Sequence, residues 1–305
     1  MDVAISVSIN DHFLCNFEFL ERKTMFSDVL LTVDYDRTLT APDSTIPQRN
    51  LEAIRYFMDN GGAFTVNTGR SVPMAMAMSK IVPVNAPFLL YNGSAAWDKE
   101  KLDFCHPIEL DMWQTVRAVQ KAFPDMTVEI QGVDAHYRLT DPDDAWDAFS
   151  DHNNCARGYA PQGTDLGVFL KFSLYGQIRD VTVAHLFEGS EEEMARMSEV
   201  ENKLNEMFGD KISVFRAAPR IIDCHAKGVS KIRSARELQQ RLGRKILVCV
   251  GDAENDISML EGADFAFCPA DGIVANRFET VCECGKGAVA DVIYEKIPEI
   301  LGLNP

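Results

Sequence analysis

The chain has 305 residues, 46% hydrophobic and 25% charged, the composition of a globular protein long enough for one large domain or two smaller ones. Its 46 acidic and 30 basic side chains leave a net charge of −16, which argues against nucleic acid and anionic membrane surfaces as partners. No apolar run approaches the roughly 20 residues that span a bilayer.

The same negative field repels a phosphorylated ligand at long range, so a phosphate site in this chain must supply its own cation and donors. The eight cysteines, Cys15, Cys105, Cys155, Cys224, Cys249, Cys268, Cys282 and Cys284, are scattered, several within apolar runs. This is the pattern of free thiols in a reducing cytosol, and Cys282 with Cys284 lacks a second pair at zinc-ligand spacing. Residues 1–24 have no basic start, no continuous apolar stretch and no small-residue cleavage site, so they do not read as a secretory signal and a cytoplasmic location is the default. Residues 1–25 are expected to be an extension outside the catalytic core.

Asp28-Val29-Leu30-Leu31-Thr32-Val33 is a short apolar run ending in a polar turn, as a buried parallel strand does. Pro47 opens a segment with apolar residues at Leu51, Ile54, Phe57 and Met58, a helical period closed by Asn60-Gly61-Gly62. A second strand is expected at Ala63-Phe64-Thr65-Val66-Asn67. A Met/Ala-rich helix follows Thr68-Gly69-Arg70-Ser71, with Met74, Met76 and Met78 read as packing residues, and a third strand is expected at Phe88-Leu89-Leu90-Tyr91. The alternation resumes with a helix over 230–242, a strand at 246–250, a helix from Ile257, a strand at 265–267 and a final helix over 287–301.

Such alternation predicts an α/β fold with a doubly wound parallel sheet. Between the two halves, strand-like stretches at 127–131 and 168–174 interleave with amphipathic helices at 110–122 and 191–207. That texture predicts an inserted α+β cap over 95–215 with its own antiparallel sheet, leaving 26–94 and 216–305 as the core.

Ligands of open α/β sheets bind at the carboxyl ends of the strands. Three expected strand ends deliver acids or hydroxyls to one edge: Asp34 and Asp36, then Thr68, then Gly251-Asp252-Ala253-Glu254-Asn255-Asp256. Taken singly, Asp-x-Asp fits a solvated turn, and Asp252 and Asp256 fit a helix cap and a first-turn acid. Brought together, like charges are costly unless a cation neutralises them, and a hard metal such as Mg²⁺ suits carboxylates. The oxygens of a phosphoryl group still need donors, for which Thr68, the amides around Gly69, Asn255 and a lysine are candidates. Lys231 opens the helix before the strand carrying Asp252, and Lys227 competes for the same role.

In this order, Asp34-Tyr35-Asp36-Arg37-Thr38, Thr68-Gly69-Arg70, Asn92-Gly93, Gly228-Val229-Ser230-Lys231 and Gly251-Asp252-x-x-Asn255-Asp256 resemble the motifs of the haloacid dehalogenase (HAD) superfamily. The long insertion after the third strand resembles the Cof-type, class IIB branch of sugar-phosphate phosphatases with a C2-type cap, and the likeness covers about residues 26–302. It implies a Rossmann-like core and Mg²⁺-dependent hydrolysis of small phosphate monoesters, sugar phosphates first, gated by the cap.

By this resemblance Asp34 is the nucleophile that forms an aspartyl-phosphate, and Asp36 protonates the leaving alkoxide and then takes a proton from water. Mg²⁺ would be held by Asp34, the Asp36 main-chain carbonyl and Asp252, with Asp256 in support. The Tyr35 amide, Thr68, Gly69, Lys231 and Asn255 would hold the phosphate. A sugar phosphomutase of the same superfamily, or an inactive metal-binding scaffold, would carry the same residues.

The family most often has glycine where this chain has Arg37, which makes Arg37 a place for substrate contact, for pairing with a cap acid, or for obstruction of the site. Arg70, Asn92 and the cap face are the expected specificity surface. His106, His136, His152, His185 and His225 show no metal-ligand spacing and read as structural or exposed.

Overall fold

The computed structural model describes residues 25–138, 147, 151, 155–160, 163–176 and 189–303. Of the expected extension at 1–25, residues 1–24 lie outside the described residues, as do Cys15, His152 and His185.

Val29–Val33 (β1) is buried at all five residues, which requires cover on both faces of its sheet. It pairs in parallel with Ile246–Val250 (β12) on one side and Ala63–Val66 (β2) on the other. Phe265–Pro269 (β13) and Glu279–Val281 (β14) complete a five-stranded parallel sheet of order β14-β13-β12-β1-β2. The register aligns Val33 with Val250 and with Val66, so Asp34, Gly251 and Asn67 all emerge at one level.

Gln48–Asp59 (α1) buries Asn50, Ala53, Ile54 and Phe57, the i, i+3, i+4, i+7 stripe of a helix lying on a sheet. It ends at Gly61, whose φ of 93° is the left-handed conformation that glycine adopts without cost. The helical run 288–300 packs beside it, through Val289, Ile293 and Ile297 in the same apolar cluster. Val72–Met78 (α2) is capped by Ser71, whose Oγ accepts the Met74 amide at 3.4 Å. Met78 is buried and Met76 exposed, which fits packing and not a ligand set.

The insertion carries a six-stranded sheet made of Thr127–Gln131 (β6), His136–Arg138 (β7), Arg157–Tyr159 (β8), Lys171–Tyr175 (β9), Ile212–Ala218 (β10) and Ile221–Ala226 (β11), in the order β10-β11-β9-β6-β7-β8. All its pairings are antiparallel except β7 with β8. Its apolar face (Val128, Ile130, Phe172, Leu174, Ile222, Cys224) joins one core with Val116 and Val119 of Met112–Ala122 (α3) and Val200 and Leu204 of Glu191–Phe208 (α4). The alternate residues Glu129, Gln131, Lys171, Ser173, Asp223 and His225 are polar, yet buried as deeply.

Sheet membership does not follow the expected cuts at 94 and 216. Ala95–Trp97 (β4) and Leu102–Cys105 (β5) form a hairpin on Phe88–Leu90 (β3), which meets the parallel sheet through the Asn67–Leu89 bridge. At the other end β10 runs through residue 216 and pairs along its length with β11 inside the six-stranded sheet, because neither strand could leave without stranding the other's backbone groups.

Candidate active site

Four side chains meet at the shared strand level. Asp34 follows β1 directly, and its amide is held by Val250 O at 2.9 Å, so β12 fixes where the carboxylate starts. Lys231 is the first residue of Lys231–Arg241 (α5), whose N-cap Ser230 orients that turn, and it is 2% exposed. Its Nζ donates to Asp34 Oδ1 at 2.5 Å and to Asp256 Oδ1 at 2.6 Å. Asp256 Oδ2 accepts the amides of Asp252 and Ala253, both at 3.1 Å, which folds the turn after β12 back on itself. Thr38 Oγ1 donates to Asp252 Oδ1 at 2.8 Å. Lys227, by contrast, is exposed.

One ammonium among three buried carboxylates leaves an excess of negative charge. Burial pushes the Asp34 carboxyl well above the usual range, opposed by Lys231 and reinforced by Asp256 and Asp36. Asp252 rises to about 6 through burial and the charge of Asp256. Burial alone would depress Lys231, but Asp256 and Asp34 outweigh it and hold the ammonium above its ordinary value. Asp34, Asp252 and Asp256 each offer an oxygen within 4.8 Å of the others, and hard anionic donors in excess of their counter-charge fit a small divalent cation.

Asp36 points elsewhere. Its carboxylate is half exposed and takes a bidentate pair from Arg70, Nη2 at 2.7 Å and Nε at 3.0 Å. The Arg70 guanidinium lies 4.8 Å from the centre of the buried Tyr35 ring. Arg37 is exposed with φ of 58°, the backbone state that explains why glycine suits this position. A side chain held there costs about 1–2 kcal/mol, part of which glycine loses again to unfolded-state entropy. Arg37→Gly is therefore expected to stabilise the chain by about 0.5–1 kcal/mol, read as a rise in the urea midpoint.

Thr68 is buried, and its Oγ1 accepts the Arg70 amide at 3.3 Å. Gly69 is pressed against Asn92, where an added Cβ would come within 2.9 Å of Oδ1. Asn255 is exposed on the turn Glu254–Asp256, outside the hydrogen-bonded set.

Sequence reasoning missed a group supplied by the six-stranded sheet. Lys171, 4% exposed, donates from Nζ to Gly69 O at 3.3 Å and pairs with Asp223 at 2.7 Å. His136 Nε2 lies 2.7 Å from Ser71 Oγ, and its Nδ1 3.1 Å from Glu129 Oε1. His225 meets Ser94 at 2.9 Å, and burial and Lys171 pull its pKa down to about 3 against Asp223, so it stays neutral. The alternation Lys171-x-Ser173-x-Tyr175 was the available signal, but it reads equally well as a solvated sheet face.

A parallel sheet with an acid-rich carboxyl edge, covered by an inserted sheet, defines a class of capped α/β hydrolases. The family model described as haloacid dehalogenase-like hydrolase matches residues 31–275, and the chain belongs to that family. It is 23% identical over 242 residues to the 5-amino-6-(5-phospho-D-ribitylamino)uracil phosphatase YcsE of Bacillus subtilis, covering 77% of this chain and 80% of that one. The Escherichia coli phosphatase of the same name, YbjI, is 24% identical over 242 residues, covering 78% and 83%. Among solved structures, a haloacid dehalogenase-like hydrolase from Bacteroides thetaiotaomicron superposes with a TM-score of 0.72 at 18% identity, covering 88% of this chain and 98% of that one. The HAD subclass IIB sugar phosphatase BT4131 gives 0.66 at 17%, covering 90% and 98%.

Proposed function

We propose that this chain is a Mg²⁺-dependent phosphatase of small phosphate monoesters, sugar phosphates first, that works through an aspartyl-phosphate on Asp34. The observation that carries this reading is Asp34 itself: a carboxylate at a strand end, 2.5 Å from a buried lysine and beside Asp252. Phosphoryl transfer needs a nucleophile in line and positive charge around the phosphoryl oxygens, and little else from the protein. Asp34 attacks phosphorus, the bond from phosphorus to the leaving oxygen breaks, and Asp36, released from Arg70 and protonated, delivers a proton to that oxygen. Asp36 then takes a proton from the water that attacks the acyl-phosphate, returning Asp34 and free phosphate.

Lys231 and Thr68 hold the phosphoryl oxygens, with the Tyr35 and Gly69 amides and Asn255. Asp34, the Asp36 carbonyl and Asp252 would hold Mg²⁺, with Asp256 steadying both Lys231 and the turn that carries Asp252. When bound, the cation supplies charge that offsets the two negatively charged partners as they approach. The relatives' phosphatase names support the reaction type, and the seven cysteines among the described residues, all free thiols, support a cytoplasmic enzyme. Among the described residues no helix is long and apolar enough to cross a membrane.

The test is Mg²⁺-dependent phosphate release across a panel of phosphorylated metabolites, with turnover expected on polyhydroxyl monoesters. An isomerised sugar phosphate in place of free phosphate would indicate the mutase, and silence across the panel the scaffold. A second expectation concerns the metal alone. Because the acids outnumber Lys231, millimolar Mg²⁺ should raise the thermal midpoint by several degrees, and Asp252→Asn should abolish that rise.

A further inference from the structure

We propose that Lys171 and His136 are positioning residues, two prongs of the six-stranded sheet that set the loop 68–71 for phosphate binding. This rests on the phosphatase reading above.

Lys171 Nζ holds Gly69 O at 3.3 Å. A trans peptide unit is planar, with its C=O and N–H opposed, so a cation that captures Gly69 O turns the Arg70 N–H to the other side. There it donates to Thr68 Oγ1 at 3.3 Å. With an oxygen lone pair used in that bond, the Thr68 hydroxyl is set to donate its own proton outward, as a phosphoryl oxygen requires. Lys171 thus acts on Thr68 through a single peptide unit.

The second prong fixes the far end of the loop. Glu129 Oε1, 3.1 Å from His136 Nδ1, draws the ring proton to that nitrogen and leaves Nε2 to accept from Ser71 Oγ at 2.7 Å. Ser71 also caps α2, so His136 holds both the loop and the helix that follows it.

The two prongs are joined behind. Asp223, the partner of Lys171, accepts from Ser173 Oγ at 2.7 Å, and Gln131 Nε2 donates both to Ser173 Oγ at 3.2 Å and to Glu129 Oε1 at 3.1 Å. All of these groups are buried, and a buried network held by charge-assisted bonds keeps its members in one geometry. Seating the sheet on the core therefore arranges the loop.

Two variants separate the prongs: Lys171→Met/Asp223→Asn, which removes both members of the buried ion pair together, and Ser71→Ala. Each is read by amide hydrogen exchange over 68–71 and by calorimetric affinity for inorganic phosphate in the presence of Mg²⁺. Exchange over 68–71 should quicken by about tenfold or more with that of β2 unchanged, and phosphate affinity should fall about tenfold, the scale of one charge-assisted hydrogen bond. Adding Thr68→Ala to Lys171→Met/Asp223→Asn should weaken phosphate no further than Thr68→Ala alone. Unchanged exchange in either variant, or losses that multiply with Thr68→Ala, would overturn the proposal. A wild-type loop that exchanges slowly and loosens in the variants, in a protein that hydrolyses no phosphate ester, would count against the phosphatase reading and not against the prongs.

Discussion

Asp34→Asn is expected to lower the rate of phosphate release by at least about 10⁴-fold while leaving the fold intact or stabilised, because the covalent step is lost and no neighbour can replace it. The amide keeps an oxygen for Lys231, which lies 2.5 Å away in the parent, but cannot form an acyl-phosphate. It also removes one negative charge from a cluster in which burial already pushes the carboxyl well above its usual range. The stabilising half distinguishes this account from a merely structural Asp34, whose replacement would cost stability and activity together. Phosphate release and the thermal midpoint, measured on the same metal-free preparation before and after adding Mg²⁺, check both halves.

Lys231→Met should act in the opposite sense on stability. Its ammonium pairs with both Asp34 and Asp256, and removing one partner of a buried ion pair typically costs about 3–5 kcal/mol, since the abandoned charge stays buried. Activity should vanish with it, because in the proposed mechanism Lys231 is the buried ammonium that holds the phosphoryl oxygens. Combining Lys231→Met with Asp34→Asn should recover a substantial part of the stability, as one of the stranded charges is gone, without recovering turnover. Denaturant unfolding of the two single variants and the double completes the cycle, and simple additivity of the two effects would contradict the coupling.

Much of the core was legible because its strands are continuous apolar runs bounded by acids. The strand expected at 28–33 is Val29–Val33, and the one at 246–250 is Ile246–Val250. The convergence of Asp34, Asp252 and Asp256 followed from placing strand ends at one sheet edge. Lys231 was assigned ahead of Lys227 through the family motif Gly228-Val229-Ser230-Lys231, since both lysines sit near the start of one helix; in the structure Lys231 is buried between Asp34 and Asp256, and Lys227 is exposed.

What sequence could not convey was tertiary in origin. Asp36 and Arg70 are 34 positions apart, and nothing local announces their bidentate pair. Strands of three residues, such as His136–Arg138 and Arg157–Tyr159, are too short to show a period, and the pairing of β10 with β11 moved strands across the cut expected at 216. The polar side of the six-stranded sheet was the largest omission. Alternation shows that a strand has two faces, but not that both are buried, and Lys171 gains its meaning only when Gly69 O lies against it.

The most direct measurement is acid-quenched mass spectrometry of the parent during turnover of an aryl phosphate with Mg²⁺. A phosphoryl group is expected on the peptide containing Asp34, present in the parent and missing from Asp34→Asn. A phosphoryl group on another residue, or an Asp34→Asn protein that turns over at the parental rate, would contradict it.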